Sequence, residues 1–186
     1  AYEKRGYKVS VLETETIPVI FCEYNVNPDL PTILFYIHYD GQPVDPSKWD
    51  QEDPFSPVIR NESGERIPYD SITLWNDDWR IYARAAADDK APIMMMLYAT
   101  DLMKLHNLVP AYNIKIVMDG EEERGSAGLL FSLDKYRSYY DADKLIIMDG
   151  PAHPTNEPTL TFGCRGIASA ILTIYGPRTP QHSGHY

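Results

Sequence analysis

Residues 106–130, HNLVPAYNIKIVMDGEEERGSAGLL, place Asp119, Glu121, Glu122 and Glu123 within five positions, directly behind the apolar run IKIVM. Carboxylates gathered where a buried strand runs out are costly unless a positive charge meets them. An isolated acidic run of this kind is a solvated turn. The alternative chemistry is cation binding, and residues elsewhere in the chain bear on the choice. The run ILFYI leads into His38 and Asp40, and KLIIM leads into Asp149. Asp88 and Asp89 stand ahead of a long apolar segment. Four separate places thus offer carboxylates or an imidazole, the donor set of a divalent-metal site. His38 favours zinc, manganese or cobalt over a calcium-stabilised domain, because calcium selects oxygen donors.

The elements that must position these residues follow from patterning. YKVSVLET, PVIFCEYN and TILFYIHYD read as successive strands, the last with the continuous apolar character of a strand covered on both faces. Residues 41–80 are rich in Pro, Asp and Trp and predict loops with a hairpin turned at NESGE. RIYARAAA predicts a short strand, and APIMMMLYATDLMKLHNL a helix with Pro92 in its first turn. A strand YNIKIVMD, a helix SAGLLFSLDKYRSYY and a strand DKLIIMDG complete the alternation. The expected class is α/β, a mostly parallel mixed sheet flanked by helices. Ligands of such sheets collect beyond the carboxyl ends of the strands, where the polar clusters fall.

Five stretches, YIHYDGQPVD, ARAAADDKAP, MDGEEERGSAGL, IIMDG and QHSGHY, resemble in order and spacing the dinuclear zinc peptidases related to carnosinase, carboxypeptidase G and aminoacylase. The likeness runs along nearly the whole chain, and WDQEDPFSP resembles the family's substrate-side loop. The resemblance implies two zinc ions per site, with manganese or cobalt as alternatives. It implies His38, Asp88, Glu123 and Asp149 as metal ligands, with Asp88 bridging the two ions. Asp40 would hold the His38 ring, a role carboxylates often fill behind metal-bound histidines. Glu122 would be the general base that takes a proton from the attacking water, and His182 would stabilise the oxyanion from the partner subunit. Asp89 is expected to be a structural or solvent-facing neighbour, and Glu121 to be solvated. Alanines 83, 85 and 91 and Ile37 stand where the family usually has glycine. The catalytic domain would occupy residues 1–165. A strand, IASAILTIYG, would open a small α+β lid and dimerisation domain over 166–186. The last zinc histidine and the residues gripping the substrate carboxylate would lie C-terminal to Tyr186, and the N-terminus would be missing too.

The implied activity is metal-dependent hydrolysis of a dipeptide or other exopeptidase substrate by a homodimer. An N-acyl amino acid deacylase and a non-catalytic binding relative are the alternatives. The composition is compatible with this. Lys+Arg 17 against Asp+Glu 27 leaves a net charge of -10, which excludes a general nucleic-acid binder. No apolar run is long enough to span a bilayer, so no membrane partner is expected. Cys22 and Cys164 both sit in apolar segments and read as buried free thiols, which favours a reducing, cytoplasmic setting.

Overall fold

The computed structural model describes residues 1–150, 153, 155, 157–181 and 184. It divides into two compact units, Ala1–Gly150 and Pro151–Tyr186.

The first unit is built on a five-stranded mixed sheet. Its strands are β1 (Lys8–Leu12), β2 (Val19–Tyr24), β3 (Thr32–His38), β7 (Asn113–Asp119) and β8 (Lys144–Ile147), in the order β1-β2-β7-β3-β8. β1 runs antiparallel to β2, and β2 antiparallel to β7. β3 runs parallel to both β7 and β8. A smaller antiparallel sheet, β5-β4-β6, comes from β4 (Val58–Arg60), β5 (Arg66–Ile67) and β6 (Arg80–Tyr82). Its β4–β5 hairpin turns at residues 61–65 as the sequence predicts, with the Glu65 carbonyl accepting from the Asn61 N–H and Gly64 at φ +83°.

The large sheet is covered on both faces, which is why its inner strands read as continuous apolar runs. Phe35, Ile37, Ile114, Ile116 and Met118 pack with Met96 and Leu97 of helix α1 (Ala91–Leu105) and with Tyr2 and Tyr7. Leu34, Val117, Val19 and Phe21 pack with Leu129 of helix α2 (Ala127–Lys135) and with Tyr136, Tyr139 and Tyr140. Odd and even positions of one strand thus enter different cores, as the period of two requires. One polar side chain anchors the entry to β3. Buried Asn113 accepts from the Val26 and Asn27 N–H groups and donates to the Asn27 and Leu30 carbonyls, so the preceding loop is fixed at the amino ends of β3 and β7.

Two expectations fail here. Residues 157–176 form no strand, and Ile167, Ile171 and Ile174 are almost fully exposed. Alternating apolar residues give a segment the capacity for a strand, but a ladder also needs a neighbour, and none pairs with this stretch among the described residues. Cys164 is exposed for the same reason. Cys22 is buried as expected, at the centre of β2 between Val9 of β1 and Ile116 of β7. Burial pushes its thiol up to about 12. In the native protein at pH 8, Cys22 should therefore resist iodoacetamide and react only after denaturation, a difference that mass spectrometry of the alkylated peptides would read.

Candidate metal centre

The parallel register sets the geometry of the site. β3 and β7 end side by side, with His38 opposite Asp119, and Tyr36 of β3 lies opposite Ile147 of β8. All three chains therefore leave the sheet at the same edge, carrying Asp40, Glu121 to Glu123, and Asp149. Asp88 and Asp89 arrive from the irregular turn Ala86–Lys90 ahead of α1, across a cis peptide bond.

His38 is the fixed point. Its side chain is fully buried, and its Nδ1 lies 3.1 Å from Asp40 Oδ1. The other oxygen of Asp40 accepts from the Glu123 N–H at 3.3 Å, so one carboxylate joins the end of β3 to the acidic loop. The Tyr39 N–H, donating to the Asp119 carbonyl at 2.8 Å, makes a second tie. With Nδ1 engaged by Asp40, Nε2 faces carboxylates only: Asp88 Oδ1 at 2.9 Å and Asp149 Oδ2 at 3.8 Å. Nε2 is buried and has no hydrogen bond of acceptable geometry, and Glu123 Oε1 is a second buried atom without one. The other oxygen, Glu123 Oε2, accepts from Gln42 Nε2 at 2.5 Å.

One ligand atom from each of His38, Glu122 and Asp149 falls within 4.8 Å of the others, a spacing that suits one shared ion. Asp88 reaches the same nitrogen, and Glu123, next along the acidic loop, has a buried oxygen without a hydrogen bond. Among the described residues no lysine or arginine forms an ion pair with Asp40, Asp88, Glu122, Glu123 or Asp149. Orphaned donor atoms, a held imidazole and uncompensated negative charge together fit a divalent cation.

The electrostatics reflect the crowding. Burial raises the Glu122 pKa above the ordinary carboxylate value, helped by Asp149, Glu123 and Asp40 and opposed by His38. Burial works against a charged His38 ring, but Asp89, Asp149, Asp40 and Glu122 outweigh it, and the net shift is upward. Burial pushes Asp89 up to about 6, against the His38 N–H and ring, which favour its charged form.

Of the predicted site residues, the structure brings His38, Asp40, Asp88, Glu122, Glu123 and Asp149 together at one sheet edge. His182 lies outside the described residues. Asp89 is not solvent-facing. It is buried, and instead of capping α1 its carboxylate accepts the His38 backbone N–H at 3.0 Å. Glu121 is not solvated either. The residue is 9% exposed, and its carboxylate accepts from the Thr16 hydroxyl, from the Gly128 N–H at 3.1 Å and, at 3.5 Å, from the Ile17 N–H. The Thr16 hydroxyl, most of all, holds it below the usual carboxylate range. Asp119 is also structural, buried and accepting from the Tyr36 hydroxyl at 3.3 Å and the Glu121 N–H at 3.0 Å. The four-acid run therefore splits into two residues that build the loop and two that face the site. Gln42 and Thr16 carried no signal in the sequence, since nothing local marks their partners.

Residues 34–161 match the peptidase family M20/M25/M40. The chain belongs to that family. It is 29% identical to the Cys-Gly metallodipeptidase dug1 of Schizosaccharomyces pombe, covering 98% of this chain and 36% of that protein. Identity to the human Beta-Ala-His dipeptidase is 28%, over 91% of this chain and 30% of the relative. Identity to the cysteinylglycine-S-conjugate dipeptidase of Corynebacterium striatum is 33%, over 84% and 30%. Among solved structures, the M20 family metallo-carboxypeptidase Sso-CP2 from Sulfolobus solfataricus superposes with a TM-score of 0.64 at 36% identity, covering 84% of this chain and 32% of that one. Human carnosine dipeptidase 1 gives 0.59 at 26%, covering 80% and 30%. The chain thus spans about a third of the length of the relatives it matches.

The hold of Asp40 on the imidazole has a measurable consequence. Asp40→Asn in the full-length protein should weaken metal affinity by about 10- to 100-fold while the fold is kept, as loss of such a partner typically does. Competition against a chromogenic chelator would measure it, and unchanged affinity would show that Asp40 does not tune the ligand.

Proposed function

We propose that the full-length protein is a metal-dependent dipeptidase acting as a homodimer. The observation that carries this reading is the fully buried Nε2 of His38, which lacks a hydrogen bond and faces carboxylates that no lysine or arginine among the described residues pairs with. Three relatives are named as dipeptidases, which favours dipeptides over N-acyl amino acids as the substrate class. His38, Asp88, Glu123 and Asp149 would hold two zinc ions, with manganese or cobalt able to replace them. When bound, such ions acidify water and polarise a carbonyl oxygen.

The chain's own groups account for the remaining chemistry. Asp40 would accept a hydrogen bond from the Nδ1–H of His38 and so keep Nε2 in its basic, ligating form. Glu122 takes a proton from the attacking water as the water oxygen bonds to the scissile carbon. It then gives that proton to the departing amine nitrogen as the C–N bond breaks. Its raised pKa suits a carboxyl that must hold a proton between those two events. His182 of the partner subunit would donate to the oxyanion. Residues 1–165 would belong to the catalytic domain and 166–186 to the start of the lid.

The full-length protein should hydrolyse dipeptides faster than tripeptides or N-acetyl amino acids. Chelation should abolish that activity, and zinc, manganese or cobalt should restore it. The two site glutamates should fail differently. Glu122→Gln should keep its metal and lose about 10²- to 10⁴-fold in kcat, the usual worth of a general acid–base. Glu123→Gln should lose metal, measured by plasma mass spectrometry. Metal loss confined to Glu122→Gln would exchange the two roles, as the grouping of Glu122 with His38 and Asp149 also allows. Turnover that survives complete metal removal would overturn the reading.

A further inference from the structure

The acidic loop has to hold Glu122 and Glu123 still, yet it consists of one tight turn. Residues Glu122–Arg124 form a single 3-10 turn, followed by Gly125 at φ +93° and Ser126 at φ +55°. Inside the turn the Glu121 carbonyl accepts from the Arg124 N–H at 3.0 Å and the Ser126 N–H at 2.8 Å. A turn of this length has no regular ladder to keep it in register, so its placement depends on what grips it from outside.

The grip comes from Glu121, whose Oε2 gathers three donors from two segments, one of them about 105 residues away in sequence. The Thr16 hydroxyl and the Ile17 N–H belong to the connection between β1 and β2, and the Gly128 N–H belongs to the first turn of α2. An acceptor-only carboxylate suits such a cluster of donors, and its charge also favours the helix start. The β1–β2 connection is itself braced, with the Thr14 hydroxyl donating to the Ile17 carbonyl and accepting from the Thr16 N–H.

Two glycines allow the contact. A Cβ on Gly128 would lie 2.5 Å from the Ile17 carbonyl oxygen and 3.0 Å from Glu121 Oε2. A Cβ on Gly120 would lie 2.4 Å from the Tyr39 hydroxyl and 2.5 Å from Ile17 Cγ2. At Gly128, where the obstacle is a backbone carbonyl, helix start and β1–β2 connection therefore approach more closely than a side chain permits, while at Gly120 the Tyr39 and Ile17 side chains would have to shift. Glu121 engages neither His38 nor Asp149, and it is not among the residues grouped around them.

We propose that Glu121 is a positioning residue: by joining Thr16 to the start of α2 it fixes the backbone on which Glu122 stands, and so aims the base. The inference rests on the reading of Glu122 given above. It makes the β1–β2 connection, far away in sequence, part of the catalytic apparatus, although it touches no reacting group.

A double-mutant cycle in the full-length protein tests this. Thr16 is exposed, so Thr16→Val removes the hydroxyl without opening the core, and Glu121→Gln is the companion variant. With dipeptide as substrate, Thr16→Val should keep its metal content and KM within about twofold and lose about 10- to 100-fold in kcat, as displaced catalytic groups do. Thr16→Ser, which keeps the hydroxyl, should restore most of the rate. In a Glu122→Gln background, adding Thr16→Val should change the residual rate by less than about twofold, because no base is left to aim. A lowered Tm with unchanged kcat, or the same fractional loss in both backgrounds, would make the contact merely structural and overturn the proposal. Full activity of Glu122→Gln would instead overturn the base reading alone. The clamp would then be judged on Thr16→Val by itself, where an unchanged kcat would overturn it and a loss rescued by serine would uphold it.

Discussion

Much of this structure turns on the parallel register that sets His38 beside Asp119. Three parallel strands leaving one sheet edge deliver their following loops to a single volume, and the turn before α1 adds Asp88 and Asp89. That concentrates eight carboxylates, from Asp40 to Asp149, at the sheet edge that holds one imidazole. In a medium of low polarity such repulsion is not tolerated unless the acids are bonded, protonated or met by a cation. Hydrogen bonds answer for some of these acids, and a bound cation would answer for the rest. Asp119 and Glu121 are bonded to the chain's own donors, and Asp89 is pushed up to about 6 by its burial. Asp88, Glu122 and Asp149 bring oxygens to the His38 nitrogen, and Glu123 keeps a buried oxygen without a hydrogen bond, a donor set that a divalent ion would fit.

The same division explains why the site stands at a sheet edge rather than on free loops. His38 is gripped at its backbone by Asp89 and at its ring by Asp40, so both ends of the residue are fixed before any ion arrives. Asp40 in turn holds the Glu123 N–H, and Gln42 holds the Glu123 side chain. Preorganised ligands lose little freedom on binding, which is the physical advantage of building a metal site on strands.

The strand ends were legible in the sequence because buried parallel strands announce themselves as long apolar runs, and the polar residue that ends each run marks the ligand edge. The hairpin at residues 61–65 was legible because Asn61 and Gly64 have the turn chemistry it needs. Glu121, expected to be solvated, and Asp89, for which a structural and a solvent-facing role were both open, were illegible for a different reason. Each carboxylate looks the same whether it faces water or accepts a buried N–H, and the deciding partners lie far off, 105 residues away at Thr16 and 51 at His38. Spacing within a motif cannot carry that information. The segment 167–176 shows the converse limit: its alternation specifies a surface that wants covering, while the presence of a neighbour is decided elsewhere.

The edge of the large sheet has the donor set of a divalent-metal site anchored by His38. Anomalous diffraction at the zinc absorption edge, on crystals of the active full-length protein, tests it most directly. An anomalous peak is expected about 2.0–2.1 Å from His38 Nε2, with an oxygen of Asp149, Asp88 or a site glutamate in the same coordination shell. Crystals of active protein in which Nε2 instead hydrogen-bonds to water or a carboxylate, with no anomalous density beside it at the edge of zinc, manganese or cobalt, would contradict it.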